Sequence, residues 1–422
     1  MVSASTFEAL VDDLVRARLS RPTDWATLLV SLPGVYPQVV REAMVRLGLV
    51  GMVRQSGSSR PPKAVTAIGA WERGLLPTPH ILDGTWWFSD SAIETMLGRI
   101  AEHTNPGDSV LLLGTPTLFF AGSDRLADRT FSLVDNDVPA LQNLAKPCRF
   151  INANILENDL LLPIDPTIIV VDPPWYIGET LSFLWLARRH ARNGTKILLS
   201  TPPEGTRPGV PDEWARLLVW CGKVGLELKE HRRSELAYVT PPFERNALRA
   251  AGVPECPMDW RRGDLAVFVC TQDQMCPEPQ IDPSPRSIRW SDASIGRVRI
   301  RMRAGEHSDM SPPFIEQLFQ DDVLPTVSRR DKRLHKVRLW TSGNRVFGCR
   351  GETAIRSIVE ALAAGVDPLR TVRKDLHLGL DQAFAFCVEA TAAQLDQIIK
   401  SEERELLEWN RCLSHDVVEL AS

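Results

Sequence analysis

The sequence predicts a mixed α/β protein. A Rossmann-like, mostly parallel sheet sits between an N-terminal winged helix-turn-helix and a C-terminal α+β domain. Three observations predict it. Between 84 and 275, apolar runs of strand length alternate with amphipathic stretches of helix length. Ahead of them lie short helical patterns interrupted by Leu32-Pro33-Gly34, and behind them a proline-rich junction, Cys276-Pro277-Glu278-Pro279 through Pro283-Ser284-Pro285. Past that junction, Arg297 to Arg303 alternates strictly between arginine and apolar residues. The implied domains are 1–63, 84–275 and 286–422.

Composition narrows the function classes. A chain of 422 residues is too long for one small module and can bury several cores. Its net charge of −4 excludes a uniformly basic nucleic-acid coat, so any polyanion site must be a local patch. Met1 to Ser5 shows no secretory pattern, and no apolar run approaches the roughly 20 residues that cross a bilayer. A cytoplasmic protein without a membrane partner is expected. The eight cysteines are scattered, with no C-x-x-C and no zinc spacing, so they read as reduced, buried thiols and no metal site is expected.

In the N-terminal region Ala9, Leu10 and Leu14 share one helical face, and Asp24 to Leu32 forms a further helix. The helix from about Tyr36 to Leu47 buries Val39, Val40, Ala43, Met44 and Leu47 while Gln38, Arg41, Glu42 and Arg46 face out. Leu49 to Arg54 reads as the first strand of a wing, and Gly57 to Lys63 as its tip or a linker. Such a unit reads DNA or RNA in some proteins and binds other proteins in others; both remain open.

In the central region strands are expected at 109–113, 130–134, 167–171, 195–200 and 265–270. Helices are expected at 91–103, 138–144, 180–190 and 212–223. The sharpest signal is Ile168-Ile169-Val170-Val171-Asp172-Pro173-Pro174-Trp175-Tyr176. A buried strand runs directly into Asp-Pro-Pro-aromatic at its carboxyl end, where open α/β sheets place their ligands. The prolines fix φ and remove two N–H donors, so the Asp172 carboxylate and the Pro173 carbonyl become two fixed acceptors. Two acceptors suit a planar amino group. Its nitrogen is a poor nucleophile while its lone pair is delocalised, and acceptors that grip both N–H groups lower the barrier as it pyramidalises. Trp175 would stack on the ring that carries it.

Upstream, Ser109 to Leu113 leads into the turn Gly114-Thr115-Pro116-Thr117, which is not G-x-G-x-x-G. About 20 residues on, the second strand ends in Asp135-Asn136-Asp137, where a carboxylate holds ribose hydroxyls in nucleotide-binding sheets. After the third strand, Asn154 offers an amide for an adenine ring.

In the C-terminal region the alternation from Arg297 to Arg303 leaves one face apolar and gives the other four arginines. Between 283 and 350 there are 14 Lys plus Arg against seven Asp plus Glu. That excess is the one polyanion candidate, centred on Arg329, Arg330, Lys332, Arg333, Lys336 and Arg338. A solvated loop or an acidic partner protein explains it as well. Thr391 to Leu413 reads as a charged amphipathic helix that caps the fold or pairs with another subunit.

Residues 84–204 resemble the N6-adenine methyltransferase-like family, which includes the eukaryotic elongation factor 1A lysine methyltransferase and the zinc-knuckle ribosomal RNA adenine methyltransferase. Trp86-Trp87-Phe88-Ser89 is similar to that family's F-W-Y-S segment, and Gly114 to Phe119 to its S-x-P-T/S-x-Y turn. Asp135 and Asp137 fall on its E-Y-D element, Asp172 to Trp175 on D-P-P-Y/F, and Lys196 to Thr201 on K-I-L-L-x-T. Gly114 stands where the family has Ser, Asn154 where it has Asp, and the zinc-knuckle cysteines are missing.

The resemblance implies a class I methyltransferase sheet using S-adenosylmethionine as cofactor. Gly114, Thr115, Pro116, Thr117, Asp135, Asp137 and Asn154 would hold the cofactor. Asp172, Pro173, Pro174 and Trp175 would carry the chemistry. Trp87, Phe88, Tyr176, Arg329, Arg330, Lys332 and Arg333 would meet the substrate. N6 of adenine in DNA or RNA is the expected acceptor. A protein lysine acceptor and an inactive scaffold or sensor in a larger complex stay open. Branched-chain polyamine synthases also join a winged helix to a D-P-P sheet, but their turn is G-D-D-D, whereas Gly114 to Thr117 carries no charge.

Overall fold

The computed structural model describes residues 4–54, 65–136, 149–156, 160–272, 278–279, 289–304, 309–329, 331–376 and 381–414. The expected helix at 138–144 and the residues Asp137 and Arg330 lie outside these.

The N-terminal unit comprises α1 (Ala4–Arg18), β1 (Thr23–Asp24), α2 (Trp25–Ser31), α3 (Pro37–Arg46) and β2 (Val53–Arg54). Asp24 caps α2 by accepting from the Thr27 amide at 2.9 Å, and Pro37 starts α3 where its missing N–H costs nothing. Of the segment expected as the first wing strand, Val50–Met52 coils into a 3₁₀ turn and Val53–Arg54 alone is strand, paired in parallel with Thr23–Asp24; the expected tip, Gly57 to Lys63, lies outside the described residues. Val11, Val15, Trp25, Leu28, Val40 and Met44 form a small core that also takes in Leu248, Val253 and Trp260 from the central region.

After α4 (Val65–Glu72), the central region runs β3 (Trp87–Phe88), α5 (Asp90–His103), β4 (Ser109–Leu113), α6 (Pro116–Arg125), β5 (Thr130–Asp135), β6 (Arg149–Asn152), β7 (Ile168–Val171), α7 (Ile177–His190), β8 (Lys196–Thr201), α8 (Val210–Lys223), β9 (Leu226–Val239), α9 (Pro242–Ala250) and β10 (Arg262–Cys270). These strands make an eight-stranded sheet in the order β3-β9-β10-β8-β7-β4-β5-β6. β6, β5, β4, β7 and β8 are parallel, whereas β10 pairs antiparallel with β8 and β9, and β3 with β9. The chain goes from β4 outward to β5 and β6, then returns to lay β7 on the other side of β4. The sheet therefore has its switch point between β4 and β7. One apolar core fills each face of the sheet.

The C-terminal region begins with β11 (Trp290–Ile295), β12 (Val298–Arg303), β13 (Phe314–Gln317), β14 (Leu339–Thr341) and β15 (Val346–Arg350), an antiparallel sheet in the order β11-β12-β14-β15-β13. Helices α10 (Glu352–Ala364), α11 (Pro368–Leu376) and α12 (Gln382–Ser414) cover it. The helix expected from Thr391 starts nine residues earlier, because Val388 extends the buried stripe of Leu395, Ile399 and Leu406. Its far end enters the central core, where Trp409 donates to the Thr240 carbonyl at 2.9 Å.

The four arginines from Arg297 to Arg303 find partners within the protein. Arg297 lies 4.0 Å over the Trp71 ring, Arg299 and Arg301 pair with Asp83 and Asp292, and Arg303 donates to the His335 carbonyl at 3.2 Å. A buried guanidinium needs a carboxylate, and Asp83 supplies it from the segment just before β3. The basic strand thus clamps the C-terminal region onto the central one.

Among the described residues, no helix is long and apolar enough to cross a membrane, and the six described cysteines are free.

Candidate active site at the sheet switch point

The carboxyl ends of β4 and β7 set the floor of a cleft of 1680 Å³. The Asp172 amide donates to Leu113 O at 3.1 Å and the Gly114 amide to Val134 O at 3.1 Å, so both strands hold their ladder up to the turn. Gly114 has φ +71°, and a Cβ there would come within 3.0 Å of the Asp172 carbonyl and 3.1 Å of the Phe183 ring. Only glycine fits this crossing, which keeps the crevice between the two turns open.

Asp172 is the electrostatic centre. Its Oδ1 accepts from the Tyr238 hydroxyl at 2.8 Å and from the Ser200 hydroxyl. Burial pushes its carboxyl up to about 7, although both hydroxyl bonds pull the other way. Tyr238 is itself held well above its ordinary range by burial and by the neighbouring Asp172 charge, so it remains a donor. Among the described residues nothing donates to Oδ2 of Asp172 or to the Pro173 carbonyl. One carboxylate oxygen is saturated, and two acceptors remain for a ligand.

Aromatic rings wall this corner. Trp175 meets Tyr238 edge-on at 5.5 Å, and Gly263 of β10 lets it lie close, since a Cβ there would stand 2.9 Å from the Trp175 ring. Arg261 sits over Trp86, Trp175 and Trp260 at 4.9, 5.5 and 4.8 Å and is ion-paired with the fully buried Glu244. Glu244 also accepts from Trp86 Nε1 at 2.9 Å. This network locks two indoles beside Asp172. At the mouth, Arg207 and Arg329 lie 5.4 and 5.0 Å from the Tyr176 ring, and Arg329 pairs with Glu179 at 3.0 Å.

The sequence-derived residues divide. Gly114, Pro116, Asp135, Asn154, Asp172, Pro173, Pro174, Trp175, Tyr176 and Arg329 all line the cleft. Thr115 and Thr117 are buried within the turn and the start of α6, outside the lining. Trp87 and Phe88 are core residues, 3% and 1% exposed: β3 is fixed between Trp409 and Tyr238, and Trp86 faces the cleft in their place. Lys332 and Arg333 sit in a 3₁₀ turn away from the cleft, with Arg333 held by Asp331 at 2.7 Å.

Tyr238, Arg261 and Trp260 stand outside the sequence-derived set. A signal existed for the first: the chain has three tyrosines, and Tyr36, Tyr176 and Tyr238 all reach this one cleft.

No family model matches the chain, and no curated protein matches it. Solved structures do. A branched-chain polyamine synthase mutein from Thermus thermophilus, in complex with N4-aminopropylspermidine and 5'-methylthioadenosine, is 13% identical with a TM-score of 0.48. The match covers 67% of this chain and 97% of that one. A putative rRNA-methylase from Clostridium thermocellum is 10% identical over 44% of this chain and 98% of its own, at TM-score 0.31. Magnesium protoporphyrin IX methyltransferase from Synechocystis, with bound S-adenosylmethionine, is 10% identical over 42% and 78%, at 0.29. At these values the likenesses carry no argument for function, which rests on the site.

Proposed function

We propose that the protein is an S-adenosylmethionine-dependent N-methyltransferase whose acceptor is an amino group on a planar base, with N6 of adenine the preferred case. The observation that carries this reading is the half-satisfied Asp172 beside the bare Pro173 carbonyl, at the switch point of the sheet.

Gly114, Pro116, Asp135 and Asn154 would hold the cofactor, the first by leaving room for it and Asp135 by accepting from ribose hydroxyls. When bound, the cofactor supplies an electrophilic methyl group. Oδ2 of Asp172 and the Pro173 carbonyl take the two N–H groups of the acceptor and draw its lone pair out of the ring. Trp175 stacks on the base and fixes its approach. Transfer of the methyl from the cofactor's sulfur to the nitrogen would leave the nitrogen cationic, with a proton to shed. A carboxyl at about 7 can take that proton and return it to solvent.

Incubation with methyl-tritiated S-adenosylmethionine and an adenine-containing single strand tests the reading. Label on N6-methyladenine, lost in Asp172→Ala, is expected. Label on protein alone would select a lysine acceptor. Absence of label from nucleic acid and protein alike would remove the proposal.

A further inference from the structure

The helix that reads as a DNA-recognition helix borders the cleft with its first turns. The break between α2 and α3 is docked on the loop after β8: the Gly205 amide donates to the Pro33 carbonyl at 2.9 Å. Gly34, at φ +72°, lies so close that a Cβ would sit 2.8 Å from Thr206 Oγ1 and 2.9 Å from Pro203. Gly205 is as tight, its Cβ position falling 2.5 Å from the Pro33 carbonyl. Two glycines face to face let the two backbones approach this closely. Next in the chain, Tyr36 packs edge-on against Trp260 at 5.5 Å, and Trp260 carries the Arg261 guanidinium that also covers Trp175. The first turns of α3 are thereby coupled to the aromatic wall beside Asp172.

The consequence is chemical. Gln38 and Glu42, on the α3 face that would enter a DNA groove, line the same cleft as Asp172, with Val39 of the apolar face beside them. Gln38 Nε2 donates to Glu42 Oε1 at 2.9 Å, which orients the amide and leaves its carbonyl oxygen and Glu42 Oε2 as acceptors. Building on the methyltransferase reading above, we infer that Gln38 and Glu42 form the distal wall of the acceptor's subsite. There they bind a donor-bearing group, an N–H or O–H away from the reacting nitrogen, instead of reading a DNA groove.

Two measurements on the full chain test this, with Gln38→Ala, Glu42→Ala and the conservative Glu42→Gln. In tritiated-methyl transfer to a single-stranded oligonucleotide containing adenine, both alanine variants are expected to raise KM about tenfold and leave kcat within about twofold, as loss of uniform binding requires. Glu42→Gln should recover part of the loss. An unchanged KM in both alanine variants overturns the inference. In fluorescence anisotropy with a labelled duplex of random sequence, the variants should match the wild type, whether it binds or not. A selective tenfold loss of duplex affinity in Gln38→Ala and Glu42→Ala puts α3 in a groove and overturns it too. Should the wild type transfer no methyl group, the methyltransferase reading falls, while the duplex measurement still decides which way α3 faces.

Discussion

Two buried carboxylates in this molecule share a perturbation and differ in everything else. Asp172 at the floor of the cleft and Glu402 in α12 are both pushed up to about 7 by burial. Glu402 is saturated: the Thr341 hydroxyl donates to Oε2 at 2.5 Å, the Ser342 hydroxyl to Oε1 at 2.6 Å, and the Gly343 amide closes the set. It pins the long helix to the turn between β14 and β15, next to Arg345–Glu405. Asp172 instead takes both of its donors on one oxygen and keeps the other for the cleft. A perturbed carboxyl therefore marks a candidate site only where an acceptor is left over and a cavity reaches it.

The largest effect that separates them is on turnover. Asp172→Asn should lower methyl transfer by about a thousandfold or more while calorimetric affinity for S-adenosylhomocysteine holds, whereas Glu402→Gln should keep kcat within about threefold. Stability reverses the ranking. Glu402→Ala strands three buried donors and should cost about 3 kcal/mol in urea denaturation, and Asp172→Ala, which strands the Tyr238 and Ser200 hydroxyls beside the cleft, about 2 kcal/mol.

A smaller effect sharpens the role of Tyr238. Removing a donor that lowers the Asp172 carboxyl, in Tyr238→Phe, should cut kcat/KM roughly tenfold at pH 7. The acid limb of the pH profile, expected near pH 7 in the wild type because the proposed grip on the amine needs Asp172 ionised, should move upward.

The smallest effect is on the pH dependence of stability. For Glu402 the folded carboxyl, at about 7, lies above its ordinary 4.5, so the folded state binds more protons between those values. Stability from this group is full below pH 4.5 and declines as pH rises to about 7. Asp172 adds the same sign from 3.8 upward. Thermal melts should show each of Asp172→Asn and Glu402→Gln flattening that slope.

The comparison also explains what was legible in the sequence. Asp172 was visible because it closes a run of four β-branched residues with two prolines behind it, a local pattern that fixes its position at a strand end. Glu402 was invisible: it is one of several acids in a charged helix, and only tertiary contact with 341–343 buries it. The same holds for β9, whose Lys229-Glu230-His231-Arg232-Arg233 segment hides a 14-residue strand that delivers Tyr238. The arginines from Arg297 to Arg303 show the converse. Their spacing showed one face of a strand, but nothing local showed that Asp83, over 200 residues away, would neutralise it.

A crystal structure with S-adenosylhomocysteine and an adenine-containing oligonucleotide would show whether Asp172 and Pro173 grip the acceptor amine. Cofactor density is expected along Gly114 and Asp135, with an adenine whose amino group bonds Oδ2 of Asp172 and the carbonyl of Pro173. An acceptor bound elsewhere, or a cofactor lying away from the crossing of β4 and β7, would contradict it.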